Sequence, residues 1–171
     1  MSAFGLSRTT DLTLGEAAAL EHNGGTIYEN SGVTRIDRGT TAVVHTAQGK
    51  VQAKYVIVAC NAYIGELEPK LASMSMPCGT QVIATEPLGS RPDELIPSDY
   101  CVEDNNFLLD YFRLSGDKRL VYGGGVIYGA RDPKHVESII VPKMLKTFPQ
   151  LKGVRIDYGW TGNFLLTLSR L

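Results

Sequence analysis

Hydrophobic and polar positions change texture along the chain. Leu14 to Leu20 is rich in helix formers, and Thr13 with Glu16 three places later gives the Ser/Thr-x-x-Glu pattern of a capping box, so a helix is predicted over 14–22. Asn23-Gly24-Gly25 ends it, and Thr26–Glu29 then reads as a short strand. Val33–Ile36, Ala42–Thr46 and Val51–Ala53 are β-prone segments divided by turn formers, predicting a small antiparallel meander. Tyr55-Val56-Ile57-Val58-Ala59 follows, uncharged and β-branched on both faces, which is how a buried parallel strand reads. No glycine-rich turn accompanies it.

Beyond residue 65 the spacing alters. Gln81–Thr85 is predicted as a strand stopped by Glu86-Pro87, and Leu88–Ser98 as a proline-containing surface loop. Phe107–Leu114 and Arg119–Tyr122 flank Ser115-Gly116-Asp117-Lys118, a hairpin with a four-residue loop. That loop would pair Tyr111 with Tyr122 and Arg113 with Leu120, placing Tyr111, Arg113 and Tyr122 on one face and Phe112 with Val121 on the other. Val136, Ile139, Ile140, Met144 and Phe148 have helical spacing within 133–148, with Pro142 expected to kink or divide the helix. Arg155–Trp160 and Phe164–Leu168 complete the chain as two further strands. The expected class is α+β: a mixed-sheet subdomain over 75–171, largely antiparallel, beside a partial Rossmann-like subdomain over 13–74, after a separate opening segment, 1–12.

Composition narrows the partners. The 171 residues carry a formal net charge of −1, with 43% hydrophobic and 20% charged residues, the profile of a globular protein with no electrostatic reason to bind nucleic acid or anionic membrane. No stretch approaches the roughly 20 apolar residues of a membrane span. Cys60, Cys78 and Cys101 are widely spaced and form no C-x-x-C pair, which fits a reducing, cytoplasmic setting. His22, His45 and His135 have no metal-like partner at i+2 to i+4 and read as structural or surface residues.

Several stretches invite chemistry, each with an ordinary alternative. Gly123-Gly124-Gly125 invites a phosphate loop, but the spacing is not G-x-G-x-x-G and Ala130-Arg131-Asp132-Pro133 follows instead of a helix start, so a strand passing close to another backbone or a flat ring is the ordinary reading. Arg113 between two tyrosines can hold a carboxylate bidentately or belong to a solvated edge. Trp160, flanked by Gly159 and Gly162, reads as a core tryptophan, with a ligand-facing role as the alternative. Cys60 lacks an activating neighbour for nucleophilic catalysis. A ligand lying across the strand end at Cys60-Asn61 uses that position better.

Five collinear segments carry a resemblance: Ala59-Cys60-Asn61-Ala62-Tyr63, Met76-Pro77-Cys78-Gly79-Thr80-Gln81, Asp110-Tyr111-Phe112-Arg113-Leu114, Arg119-Leu120-Val121-Tyr122-Gly123-Gly124-Gly125 and Trp160-Thr161-Gly162-Asn163-Phe164. From about Leu14 to Leu171 the chain resembles the middle of the D-amino-acid-oxidase-like family of FAD-dependent oxidoreductases. The resemblance implies FAD as cofactor and a small-molecule amine of the gamma-glutamylputrescine type as substrate, deaminated oxidatively to an aldehyde with ammonia and hydrogen peroxide. It also implies positions. Val33 lies beside the adenine end of FAD, Ala59, Cys60 and Asn61 line the adenosine and pyrophosphate region, Trp160 and Gly162 lie near the isoalloxazine, and the sheet carrying Tyr111, Arg113 and Tyr122 roofs the substrate pocket. The family's G-x-G-x-x-G unit and closing glycine-rich segment have no counterpart here, so weak or absent FAD binding by this chain alone is expected, with a missing segment or partner chain completing the flavoprotein. A sarcosine-, glycine- or D-amino-acid-type oxidase and a non-catalytic α+β binding module remain as alternatives.

Overall fold

A computed structural model describes residues 9–97, 100–129, 131 and 133–168. The chain forms two compact units: one is centred on Pro77–Phe164, and the other combines Gly15–Met76 with the stretch from Leu165.

Helix α1 spans Thr9–His22, starting a full turn before the predicted cap, so Thr13 lies inside the helix. Its exit is as expected. Gly24 takes φ +85°, the Gly25 amide donates to Leu20 O at 2.9 Å and that of Gly24 to Glu21 O at 3.0 Å, the paired bonds of a left-handed helix end. Thr26–Glu29 forms no strand. Strands β1 (Val33–Asp37), β2 (Ala42–Thr46) and β3 (Lys50–Ala53) make the expected antiparallel meander in the order β1-β2-β3.

Tyr55–Ala59 is not a buried strand. Among the described residues the segment pairs with no strand; Val56 and Val58 are half-buried and line one cavity with Ile36 and Ala42, while Tyr55 and Ile57 stand 78% and 90% exposed. Its β-branched side chains suit a pleated, half-buried surface, but a ladder needs a neighbouring strand, and the meander stops at Ala53. A short helix, α2 (Pro69–Ser73), follows.

The Pro77–Phe164 unit is built on a five-stranded sheet in the order β5-β6-β7-β4-β8, from β4 (Ser75–Thr85), β5 (Val102–Glu103), β6 (Asp110–Leu114), β7 (Leu120–Tyr128) and β8 (Ile156–Thr167). The β4–β7, β5–β6 and β6–β7 pairs are antiparallel, as expected of the antiparallel-sheet subdomain over 75–171. The stretch 88–98 is more than a loop: α3 (Pro92–Leu95) sits in it, and Leu88 and Ile96 are buried in the core; Ser98 lies outside the described residues. Phe107 precedes the strand, which starts at Asp110. The two strands expected at the end are one, β8.

Helix α4 (Val136–Thr147) covers one face of this sheet through Val136, Ile140 and Met144, spaced four apart, which pack with Ile83, Leu114, Leu120, Tyr122 and Phe148. Each such buried aliphatic side chain contributes roughly 2 kcal/mol through removal of apolar surface from water. Pro142 neither divides nor ends α4, because it lies on the exposed side, where the missing amide leaves a carbonyl that water can reach.

The hairpin register differs from expectation by one residue. Leu114 pairs with Leu120, Phe112 with Tyr122 and Tyr111 with Gly123, so five residues, not four, make the loop. Ser115 explains the longer turn: its Oγ accepts from the Arg119 amide at 3.0 Å, and its own amide donates to Arg119 O at 2.9 Å. Tyr122 therefore falls on the α4 face, fully buried and stacked on Phe112 with ring centroids 5.4 Å apart.

Candidate functional site

The sheet face turned away from α4 carries the most chemistry in the Pro77–Phe164 unit. Alternation fixes its membership. A Cβ on Gly159 would point at Val136 and Glu137 of α4, so its neighbours Tyr158 and Trp160 point the other way, and Gly162 shares their side. Tyr111 and Arg113 lie opposite Phe112, Leu114 and Tyr122, placing them on this same face with Thr80, Val121 and Gly123. Four of the expected site residues thus share one face: Tyr111, Arg113, Trp160 and Gly162. Tyr122 does not join them. Its hydroxyl is engaged on the α4 side, 2.9 Å from Thr147 Oγ1.

Tyr111 lies flat. A Cβ on Gly123 would collide with its ring, and its hydroxyl reaches across to Thr80 Oγ1 at 3.0 Å. This is the close approach of a flat ring that the glycine run allows, not a phosphate cradle. The next glycine serves a different neighbour, since a Cβ on Gly124 would meet the Asp110 carboxylate, which takes Lys143 Nζ at 2.6 Å on the α4 side. Gly125 adopts φ +71° where β7 carries one extra residue against Gly79–Gln81, the geometry of a β-bulge. Burial pushes the Tyr111 phenol above its ordinary pKa, against the opposing hydrogen bond from Thr80, so Tyr111 stays neutral and able to donate at physiological pH.

Arg113 is 6% exposed. Its Nε donates to Leu114 O at 2.8 Å, and Nη1 is buried with no hydrogen-bond acceptor. Among the described residues it has no carboxylate partner. A cation held this way is unfavourable by itself and is suited to an anion brought by something else. Trp160 is not a core residue: it stands 45% exposed on β8, and the space where a Cβ on Gly162 would sit is empty.

At the opposite sheet end, Arg119 Nη1 reaches Asp157 Oδ2 at 2.5 Å and Thr85 O at 2.8 Å, and Arg155 Nε reaches Asp157 Oδ1 at 2.7 Å. Hydrogen bonds from Arg155 and then Arg119 hold the Asp157 carboxyl below the usual range. In the sequence, the alternation of Arg155 and Asp157 along a strand is the one visible sign of this cluster.

In the other unit, Cys60 and Asn61 border a cavity of about 450 Å³ with Val58, Ile64, Leu71 and Leu165. Asn61 sits at φ +47°, a conformation asparagine tolerates, and its Oδ1 accepts from the Leu165 amide at 2.9 Å. Ala59 is exposed just before it. Val33 borders a different cavity, also about 450 Å³, with Tyr28, Val44, Thr46 and Lys50, so the structure does not bring Val33 to the Cys60 pocket. Among the described residues no group of His, Cys, Asp or Glu is arranged to hold a metal, and no helix is long and apolar enough to cross a membrane.

Residues 5–170, nearly the entire chain, match the DAO family, FAD dependent oxidoreductase. The chain belongs to that family. Gamma-glutamylputrescine oxidoreductase of Escherichia coli (strain K12) is 66% identical over 163 residues, covering 94% of this chain. The chain spans 38% of that relative's length. A probable oxidoreductase OrdL of Rhizobium meliloti (strain 1021) is 34% identical over 93% of the chain and 37% of its own length. Among solved structures, glycine oxidase from Geobacillus kaustophilus has a TM-score of 0.73 at 19% identity, and L-proline dehydrogenase from P. horikoshii 0.75 at 16%; 94% and 93% of this chain align, against 43% and 44% of theirs. At those identities the likeness concerns the fold, an α+β arrangement found in DAO-like flavoproteins.

The cofactor of the DAO family can be tested against the residues present. The Cys60 cavity is largely apolar, contains no arginine or lysine, and its Asn61 oxygen is already engaged, so it suits a flat apolar ring and does not suit the FAD diphosphate.

Proposed function

We propose that this chain supplies the substrate-facing sheet, and part of the cofactor surround, of an FAD-dependent amine oxidoreductase acting on gamma-glutamylputrescine or a similar primary amine. The observation that carries the reading is Arg113, a nearly buried cation without an anion, on the same face as Tyr111 and Trp160. An amine bearing a carboxylate at its far end meets that need. The 66% identity to gamma-glutamylputrescine oxidoreductase supports the choice among amines.

FAD, when bound, would supply the two-electron acceptor for this oxidation, taking a single hydride from the amine-bearing carbon. The reaction balances as primary amine, oxygen and water giving aldehyde, ammonia and hydrogen peroxide. This chain's residues have other tasks. Arg113 holds the carboxylate, Tyr111 donates from a neutral phenol fixed by Thr80, and the flat faces of Tyr111 and Trp160 exclude water from the substrate's aliphatic span. We infer that the chain alone binds FAD weakly or not at all, because its apolar cavity offers no diphosphate grip; a stoichiometric yellow complex of micromolar affinity on titration would refute this.

Substrate choice is tested by grafting the 171 residues into the matched region of the E. coli relative and following peroxide release. Preference for gamma-glutamylputrescine over sarcosine, glycine and D-amino acids by about 100-fold in kcat/KM is expected, and Arg113→Met should raise KM for it by roughly 10- to 100-fold, the range for losing a charge-assisted hydrogen bond. Equal activity on glycine or sarcosine would overturn the reading.

A further inference from the structure

The face that carries Tyr111 and Arg113 continues onto the edge strand. β5 pairs Val102 with Phe112 and Glu103 with Tyr111. Val102 packs against the core on the α4 side, so Glu103, the next residue, projects from the other face beside Tyr111. The short strand is held in that register by the residue after it: the Asp104 amide donates to Asp110 O at 3.0 Å, and Asp104 Oδ1 accepts from the amides of Asn106 and Asp110, each at 3.1 Å. Glu103 and Arg113 are diagonal neighbours across the β5–β6 pair, positions that lie roughly 7–8 Å apart. Yet among the described residues neither makes an ion pair, with the other or with anything else. Burial first, and the Glu103 charge after it, push the Tyr111 phenol up against the Thr80 hydrogen bond, so that charge lies within electrostatic reach of the ring. An anion and a cation that leave each other unpaired on one face offer both charges to a ligand that carries both.

We propose that Glu103 is a second substrate anchor, binding the α-ammonium of a gamma-glutamyl amine whose α-carboxylate is held by Arg113, so that the sheet selects amines with a free amino-acid head. The proposal deepens the reading of this sheet as substrate-facing and rests on it. The chemistry of the head fits the pair: ammonium and carboxylate leave one carbon, and each meets its opposite charge while the amide and methylenes run on over Tyr111. Length fits as well. Glu103, Tyr111, Gly123, Thr80 and Trp160 lie on successive strands in the order β5-β6-β7-β4-β8; the Tyr111 hydroxyl crosses β7 to Thr80, and Thr161, next to Trp160, lies against Gly79. Three strand spacings, roughly 14 Å, separate β6 from β8. In extended gamma-glutamylputrescine the head carbon and the amine-bearing carbon are about 10 Å apart, and the reach of the anchoring side chains covers the rest. The aliphatic span then lies along Tyr111 and ends beside Trp160. Glycine or sarcosine, whose reacting carbon also bears the carboxylate, would leave that carbon at the charged pair.

The test uses the same graft into the E. coli relative. Gamma-glutamylputrescine is compared with glutarylputrescine, which keeps the carboxylate and lacks the ammonium, through kcat/KM from peroxide release. The parent should prefer gamma-glutamylputrescine by roughly 10- to 100-fold, the range for one charge-assisted hydrogen bond. Glu103→Gln should bring the two substrates within about 3-fold of each other through KM, and Glu103→Lys should reverse the preference. Arg113→Met should weaken both substrates and keep the preference. Glu103→Asp, which retains the charge, should also keep it, and this separates charge from any effect on folding. No preference in the parent, a preference that survives Glu103→Gln, or an equal loss on both substrates in Glu103→Gln would each overturn the proposal. Calorimetric binding of gamma-glutamylbutylamide and glutarylbutylamide, which carry the two heads without the reacting amine, must follow the same pattern in the same variants. A graft that oxidises glycine or sarcosine equally well, yet binds gamma-glutamylbutylamide through Glu103, would leave the anchor standing and sink the proposed reaction instead.

Discussion

Two short apolar runs in this chain look alike and meet opposite fates. Gln81-Val82-Ile83-Ala84-Thr85 lies inside β4, flanked by β7 and β8 and roofed by α4, and every residue in it is buried. Tyr55-Val56-Ile57-Val58-Ala59 is more β-branched and less polar, yet among the described residues it pairs with no strand, and it exposes its largest side chains. Intrinsic preference alone orders them wrongly. The difference teaches that a strand is a property of a pair: β propensity fits a residue to a pleated, half-buried surface and cannot provide the neighbour.

The sharpest way to break the comparison is to remove equal volumes from both runs. Ile83→Ala should destabilise the chain by about 3 kcal/mol, from lost transfer energy and the cavity left under α4, whereas Ile57→Ala should change stability by less than about 0.5 kcal/mol in urea denaturation. A comparable loss from both would mean that Tyr55–Ala59 packs against something. A smaller contrast comes from hydroxyls. Tyr122→Phe leaves Thr147 without its buried partner and should cost about 1 kcal/mol, while Tyr55→Phe should cost nothing measurable by thermal melting.

Surface character gives the next test. A fluorescent apolar dye should bind the native chain at neutral pH, and the double variant Tyr55→Ser, Ile57→Asp should weaken that fluorescence with no change in melting temperature. Smallest is the pH effect. Asp157 is held below the usual carboxyl range by hydrogen bonds from Arg155 and Arg119, and Asp117 by those from the Ser115 hydroxyl and then Arg119, so their stabilisation is present above the unfolded carboxyl pKa of about 3.8 and is lost as pH falls through the lower folded value. Asp157→Asn should flatten stability against pH below about 4 and leave the slope near neutrality unchanged.

Much of the secondary structure was legible. The meander was readable because β1, β2 and β3 are separated by turn formers that fix their ends, and α4 because Val136, Ile140 and Met144 recur on one stripe. The hairpin's existence was readable but its register was not, since Ser115 closes the turn through its side chain and adds one residue to the loop. That single residue sent Tyr122 into the core and left Tyr111 and Arg113 to share their face with Trp160. The company of Trp160 was illegible for another reason: two glycines beside a tryptophan look the same whether they admit packing neighbours, as Gly159 does, or border empty space, as Gly162 does.

The extra residue at Gly125 acts as a phase inverter. Before it, Leu120 and Tyr122 project toward α4; after it, Ile127 lies opposite Gly79 on that side, while Tyr128 is carried round to the side of Tyr111. One strand thereby serves two clients, donating even-numbered side chains to the interior along its first half and to the far surface along its second. Deleting a single glycine there would transpose every later side chain of β7, so anyone splicing this sheet with a homologue should place the junction outside the strand.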